Sequence, residues 1–128
     1  MPTVTLLYAG ILGIMSIVLS SGPGLLRGKL GISVGDGGND ELLVAIRRHG
    51  NFVEFVPLAV ILMGLLEMNG LSGLTIHIFG VVLVIARVLH ATGLKAGDMS
   101  TIGRGLGAGG TALLTIVMSV WGIVEFFI

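Results

Sequence analysis

Residues 3–21, TVTLLYAGILGIMSIVLSS, carry no charge and are long enough to cross a membrane as a helix. No Lys, Arg, Asp, Glu or His occurs before Arg27. A spanning helix needs about 20 mostly apolar residues, because the hydrocarbon core is about 30 Å thick and each helical residue rises about 1.5 Å. The sequence therefore predicts a first span over residues 3–21, ended by Gly22-Pro23-Gly24, since Pro and Gly disfavour helix continuation.

The composition of the whole 128-residue chain is that of a small helical membrane protein. Charged residues make up only 11%, whereas a soluble domain usually carries about 25%. The aromatic content of 5% argues against a transmembrane β-barrel. The formal net charge is zero, so no overall basic field attracts nucleic acid, and no nucleic-acid partner is predicted. Cys is absent and the His residues lie far apart in the predicted spans, so no metal site is predicted.

Three further apolar segments have the length of membrane spans. Asn39 or Asp40 can cap the N-terminus of the second segment, and no charge interrupts the last one between Arg104 and Glu125. The sequence predicts an all-α fold in which residues 1–128 form a single transmembrane domain, an integral membrane four-helix bundle. The predicted spans after the first are residues 40–68, 72–91 and 104–126.

The basic residues predict how the bundle is oriented. All seven lie on or near the loops that join spans one to two and three to four, whereas the short loop between spans two and three has none. Because basic loops remain in the cytoplasm, both long loops are predicted to be cytoplasmic and both termini to lie outside. The seven residues are Arg27, Lys29, Arg47, Arg48, Arg87, Lys95 and Arg104.

One face of the second span is polar at its cytoplasmic end. Arg47, Asn51 and Glu54 are spaced i, i+4 and i+7, which places them on the same side of a helix. If Glu67 marks the outer boundary of the hydrocarbon core, Glu54 lies about 10 Å inside the inner boundary. A charge at such depth costs roughly 3 kcal/mol, so this face is predicted to turn toward the bundle interior or a subunit interface.

Spans three and four add positive charge at the same level, through Arg87 and Arg104, with His90 beside them. Two interpretations remain open. In the structural one, Arg47 and Glu54 pair with neighbours while the other guanidinium groups contact lipid phosphates. In the functional one, the excess of positive charge binds an anion. An Arg fork binds a carboxylate in bidentate fashion and Glu54 can receive an ammonium, so the guest would be amphoteric and peptide-like.

Two segments of the chain resemble a known family. Residues 47–57, RRHGNFVEFVP, and residues 86–93, ARVLHATG, followed by Arg104, resemble the signature of the MAPEG family, the membrane-associated proteins in eicosanoid and glutathione metabolism. The similarity covers nearly the whole chain in span order and length. Gly35-Asp36-Gly37-Gly38 looks most like an uncharacterised bacterial inner-membrane branch. The resemblance implies a left-handed bundle that assembles as a homotrimer in a bacterial inner (plasma) membrane.

The resemblance also implies a ligand and the residues that bind it. Glutathione would bind as a co-substrate between neighbouring subunits, in a site open toward the cytoplasmic leaflet. Arg104 matches the Arg that stabilises the glutathione thiolate, and is therefore the candidate catalytic residue. The candidate glutathione-binding residues are Arg47, Asn51 and Glu54 for the charged ends of the tripeptide, His90 facing it, Arg87, and Arg27 as a looser match.

Two functions follow from this resemblance. The first is a glutathione-dependent transferase or peroxidase, which would activate the thiolate against lipophilic electrophiles or hydroperoxides dissolved in membrane lipid. The second is a non-catalytic membrane protein that binds glutathione, an anionic lipid or another amphiphile. Leu94 and Gly50 depart from the enzymatic pattern, because several enzymatic members have Tyr at the first position and some have another Arg at the second.

Overall fold

A computed structural model describes residues 1–97 and 101–127. Within these residues the chain forms four helices, each long and apolar enough to cross a membrane. The predicted all-α fold with four membrane-spanning helices is therefore confirmed. The helices are α1 (Thr3–Leu30), α2 (Asp40–Met68), α3 (Gly73–Gly93) and α4 (Ile102–Phe127).

Helix α1 does not end at Gly22-Pro23-Gly24, as the sequence predicted. Pro23 lies inside the helix, which continues to Leu30. Proline removes only one backbone N–H from the helix, and neither Gly22 nor Gly24 adopts the left-handed conformation that ends a helix, so the helix continues past them. The helix ends at Gly31, whose φ of 68° lies in the left-handed region and whose N–H donates to the carbonyl of Arg27.

The other helix ends lie close to their predicted positions. Asn39 caps α2 as predicted, because its side chain accepts a hydrogen bond of 2.9 Å from the N–H of Leu42. Ser72 caps α3 in the same way, through the N–H of Thr75 at 3.2 Å. Side-chain caps satisfy backbone donors that have no partner within the helix, so both helix starts are fixed locally.

Helices α2 and α3 form the centre of the bundle. Each contacts the other three helices, whereas α1 and α4 do not contact one another within the described residues. The interior is mainly apolar, with Arg87, His90 and Thr111 among its few buried polar side chains, and the exterior carries many exposed aliphatic side chains. Such an exterior is expected for a surface covered by lipid or by other subunits. Fully buried core residues include Leu12, Ala59, Met63, Ile76, Leu83 and Met118.

Two glycines allow helices to cross at close range. The ring of Tyr8 in α1 occupies the space that a Cβ at Gly80 of α3 would need. At Gly107 of α4, an added Cβ would lie 2.5 Å from the backbone nitrogen of His90 and 2.7 Å from its Cβ. Small residues permit such close backbone approach in membrane bundles. The second crossing brings the start of α4 against the end of α3, where the predicted site residues lie.

Glu67, at the end of α2, binds the N-terminus of α1. Its carboxylate accepts hydrogen bonds from the backbone N–H groups of Val4 at 2.9 Å and Thr5 at 2.7 Å. The first N–H groups of a helix lack hydrogen-bond acceptors within it and carry partial positive charge. A carboxylate accepts their hydrogen bonds and also interacts favourably with that charge. This contact joins α1 to α2 at the end of the bundle away from the basic loops.

Replacing Glu67 by glutamine is expected to destabilise the protein by about 1–2 kcal/mol. The amide keeps the size of the side chain but loses the charge and one of the two oxygens that accept hydrogen bonds from α1. Thermal unfolding of the detergent-solubilised protein, followed by circular dichroism, should show a lower midpoint. An unchanged midpoint would mean that the carboxylate does not stabilise α1.

Candidate functional site

A cavity of about 480 Å³ opens at the end of the bundle that holds the loops after α1 and α3. Its volume lies within the range of about 300–1,000 Å³ that is usual for small-molecule sites. Helices α2, α3 and α4 and the loop after α3 all contribute to its walls. The polar and charged side chains that line it are Asp40, Arg47, Asn51, His90, Lys95 and Arg104.

Four of the predicted site residues meet at this cavity. Arg47 and Asn51 come from α2, His90 from α3 and Arg104 from α4, so three helices bring polar groups together, as the sequence analysis expected. The remaining predicted residues, Arg27, Glu54 and Arg87, do not line the cavity within one protomer.

Glu54 lies on the surface of α2, facing away from the bundle core. It is exposed, as is Arg47 on the same helix face, while Asn51 between them is half-buried. Asn51 nevertheless reaches the bundle interior, where it accepts a hydrogen bond from Arg87, so the polar face of α2 turns inward only in part. Glu54 does not turn toward the interior of the bundle, and its place at a subunit interface stays a prediction.

Arg27 lies near the end of α1 and holds the loop that follows. Its Nη2 donates a hydrogen bond of 3.3 Å to the carbonyl of Gly35. The contact ties residues 31–38 back to α1, and it lies outside the cavity. The position of Arg27 fits a loop contact, and its role in glutathione binding stays a prediction.

Arg87 is buried where α2, α3 and α4 meet, with only 2% of its surface exposed. Its guanidinium donates from Nη1 to Oδ1 of Asn51 at 2.9 Å and from Nη2 to the carbonyl of Gly107 at 2.7 Å. The side chain thus bridges three helices and fixes the orientation of Asn51, which does line the cavity. The geometry gives Arg87 a positioning role behind the cavity wall.

Arg87→Leu is expected to destabilise the bundle by about 2–3 kcal/mol, since hydrogen bonds to charged groups contribute about 1.5–3 kcal/mol each. Asn51 would lose its buried donor, whereas the carbonyl of Gly107 would keep its bond from the Thr111 hydroxyl at 3.0 Å. Arg87→Lys should retain part of the stability, because one ammonium cannot reach both acceptors as a fork does. If the leucine variant unfolded at the wild-type temperature, the bridge would not stabilise the bundle.

Arg104 is positioned by the junction between α3 and α4. The Thr101 hydroxyl donates to the carbonyl of Gly93 and accepts a hydrogen bond of 3.3 Å from the backbone N–H of Arg104. The glycine at the end of α3 leaves no room for a Cβ beside the backbone of Arg104, so the two helices meet at close range. The start of α4, and with it Arg104, is therefore held against the end of α3.

The structure also brings residues to the cavity that the sequence analysis did not assign to it. Asp40 was considered only as a residue favourable at the start of α2, and Lys95 only as a charge that orients the loop. Arg48 lies close by, and donates from Nε at 3.2 Å and Nη2 at 2.6 Å to the carbonyl of Leu94. Asp40 and Arg48 lie on α2, whereas Lys95 follows α3, so no spacing within one element predicts that Lys95 reaches the cavity.

The described lining of the cavity carries more positive than negative charge. Arg47, Lys95 and Arg104 are cations, and Asp40 is the only carboxylate among the described lining residues. The side chains of Arg47 and Lys95 make no hydrogen bond or ion pair with any residue in 1–97 or 101–127. An acidic guest with one additional basic group would complement this arrangement.

Comparisons with known proteins agree with the resemblance noted in the sequence. The family model described as "MAPEG family" matches residues 5–124. The chain is 37% identical over 116 residues to "Inner membrane protein YecN" of Escherichia coli. The aligned residues cover 91% of this chain and 88% of that protein. The protein of the same name from a second strain of Escherichia coli is equally similar. No solved structure matches the chain significantly.

Proposed function

The chain belongs to the MAPEG family, and from this premise we propose that it is a membrane-embedded, glutathione-dependent transferase or peroxidase. Four candidate spans and a bacterial inner-membrane relative support an integral inner membrane protein. The observation that carries the proposed activity is the cavity at the basic end of the bundle, where cationic side chains from separate elements converge.

Glutathione fits the chemistry of this cavity. At neutral pH the tripeptide carries two carboxylates and one ammonium, so it is an amphoteric anion of the kind that the lining complements. A guanidinium binds a carboxylate through paired hydrogen bonds, which suits Arg47 at the cavity wall. Asn51, held by Arg87, offers a side-chain amide beside it, and His90 faces the same space.

In the proposed site, Arg104 stabilises the thiolate of glutathione. Free thiols titrate near pH 8.5, and a cation close to the sulfur favours the charged form and lowers the thiol pKa. The thiolate then attacks an electrophilic carbon, forming a C–S bond as the leaving group departs. With a hydroperoxide as acceptor, two glutathione molecules reduce the O–O bond, giving one disulfide, one alcohol and one water.

The location of the cavity suits a reaction between a water-soluble thiol and an apolar acceptor. We place the basic end of the bundle in the cytoplasm and both termini outside, as the positive-inside rule predicts. Glutathione then enters from the cytosol, while a lipophilic electrophile or hydroperoxide reaches the site from the surrounding lipid. A membrane-embedded site joins these two pools without requiring the acceptor to dissolve in water.

We also propose that the protein works as a homotrimer, with each site completed by a neighbouring subunit. The supporting observation is Glu54, a carboxylate that is exposed on the surface of a spanning helix. A charge facing hydrocarbon costs roughly 3 kcal/mol, so a polar neighbour is required. A second subunit packed on this face of α2 covers Glu54 and brings its own α1, with Arg27, toward the cavity.

The test is an activity assay on the purified protein, with glutathione and either chlorodinitrobenzene or a lipid hydroperoxide. The proposal predicts conjugate formation or peroxide consumption that depends on both substrates. Glutathione binding without turnover would overturn the enzymatic function and support the alternative of a non-catalytic binding protein. Absence of both binding and turnover would overturn the glutathione site altogether and favour an anionic lipid or amphiphile as the guest.

A further inference from the structure

The geometry points to two further ligand-binding residues. We propose that Asp40 binds the ammonium of the γ-glutamyl end of glutathione and that Lys95 binds one of its carboxylates, an assignment that rests on the proposed function. Neither residue lies in the two segments on which the resemblance to the family was recognised. Both line the cavity, on different elements: Asp40 opens α2, and Lys95 follows α3.

The charges of the guest match those of the cavity. Glutathione in its reactive form has three anionic groups, two carboxylates and the thiolate, together with one ammonium. The described lining offers three cations, Arg47, Lys95 and Arg104, together with the single carboxylate of Asp40. With Arg104 assigned to the sulfur and Arg47 to one carboxylate, Lys95 remains for the second carboxylate. The ammonium is then left to Asp40, because Glu54 does not line this cavity.

The spacing of residues along α2 also matches the length of the guest. Asp40, Arg47 and Asn51 are spaced i, i+7 and i+11, so they share one face of the helix. The backbones of Asp40 and Arg47 are about 10 Å apart along the axis at 1.5 Å per residue. An α-linked tripeptide spans about 11 Å when extended, at 3.3–3.6 Å per residue, and the γ-glutamyl link of glutathione adds to this length. Its two ends can therefore reach the start of α2 and the turn that carries Arg47.

The backbone beside Lys95 is held in place by α2. The preceding carbonyl, that of Leu94, accepts two hydrogen bonds from Arg48, and Leu94 is itself buried. A cation at the C-terminal end of α3 also interacts favourably with the helix dipole. Arg48, the residue after Arg47 in α2, thus acts as a positioning residue. It ties the segment that carries Lys95 to α2.

Asp40 could instead only stabilise the start of α2, and its variants would then behave differently. Asp40 and Glu41 both lie in the first turn of α2, where either carboxylate interacts favourably with the helix dipole. If Asp40 only stabilised the helix, then removing its charge would lower the stability of the protein by about as much as removing the charge of Glu41. It would not change which ligands the protein prefers. Ligand preference is therefore the readout that separates binding from helix stabilisation.

The experiment compares glutathione with N-acetylglutathione, which lacks the ammonium, by calorimetric titration of the full chain in lipid nanodiscs. The wild type should bind glutathione more tightly. Asp40→Asn should lose this preference, with glutathione binding weakened about tenfold, the equivalent of about 1.4 kcal/mol, and the acetylated ligand bound as before. Asp40→Glu, which keeps the charge, should restore the preference. Glu41→Gln is the matched control and should bind both ligands like the wild type.

Lys95→Gln should weaken both ligands alike, by about threefold to tenfold, because both keep their carboxylates. Lys29→Gln is the control here, since Lys29 is an exposed cation at the same end of the bundle that does not line the cavity. Wild-type affinity of Lys95→Gln for both ligands would overturn the assignment of Lys95.

The remaining outcomes separate this inference from the proposed function. If the wild type binds glutathione and Asp40→Asn keeps the preference for it, the assignment of Asp40 is wrong while the glutathione site stands. If Glu54→Gln removes the preference instead, the ammonium binds at the subunit interface and Asp40 is again excluded. If the wild type binds neither ligand, the proposed function fails, and this inference fails with it.

Discussion

Gly107→Ala is expected to destabilise the bundle by about 3 kcal/mol, the upper end of the usual cost of overpacking. A Cβ at this position would meet the carbonyl oxygen of Ala86, and would lie 2.5 Å from the backbone nitrogen of His90 and 2.7 Å from its Cβ. Two of these three atoms belong to the backbone of α3, so no side-chain rotation relieves the clash. The helices must move apart, and the carbonyl of Gly107 then leaves its bond to Arg87.

Gly109→Ala is the matched control for this prediction. It lies two residues along the same helix, and a Cβ there would meet no atom within 4 Å. Alanine is favoured over glycine in a helix by about 1 kcal/mol, so this variant should be as stable as the wild type or more stable. Thermal unfolding of both variants in detergent gives the comparison. Equal unfolding midpoints for the two variants would show that α3 and α4 do not depend on the close approach at Gly107.

Arg104→Ala is expected to lower kcat about a hundredfold while changing the KM for glutathione much less. Removing one group that stabilises developing charge typically costs about a hundredfold to a thousandfold in kcat. The carboxylates of glutathione keep their contacts with other residues in the proposed site, so binding should largely persist. The loss should appear in the thiolate, because without the guanidinium the sulfur returns toward its ordinary pKa.

Steady-state kinetics and the ultraviolet absorbance of the bound thiolate are the measurements for Arg104. Arg104→Lys keeps the positive charge and should recover part of kcat and part of the thiolate signal. The kcat and thiolate signal of the Arg104 variants can be compared with those of a variant at Arg48. Arg48 lies in the same region, but it contacts the Leu94 carbonyl and has no proposed contact with the sulfur. Parallel losses of binding and turnover in Arg104→Ala would contradict the thiolate role and indicate a carboxylate contact.

The fold was largely predictable from the sequence because length and hydropathy decide it. In a bilayer every backbone group needs an internal partner, so a long apolar segment has few alternatives to a helix. The start of α2 was also predictable, since the cap at Asn39 is a local interaction. The end of α1 was not, because Pro23 costs the helix only one hydrogen bond, and the sequence does not show that Gly31, rather than Gly22 or Gly24, adopts the left-handed conformation that ends the helix.

The candidate site was predictable only in part. Arg47 and Asn51 share a helix face by spacing, and the cavity includes both of them. Spacing along α3 could not separate His90, which lines the cavity, from Arg87, which is buried behind it among three helices. Lys95 could not be found at all from a pattern within one element, because its place in the cavity depends on a contact between α2 and the loop after α3.

The most direct test of a glutathione site at the basic end of the bundle is a cryo-electron microscopy map of the protein in lipid nanodiscs with millimolar glutathione. We expect tripeptide-shaped density in the cavity lined by Arg47, His90 and Arg104, with its sulfur nearest Arg104. A map in which these guanidinium groups point outward to lipid headgroups, with no density between the helices, would contradict it.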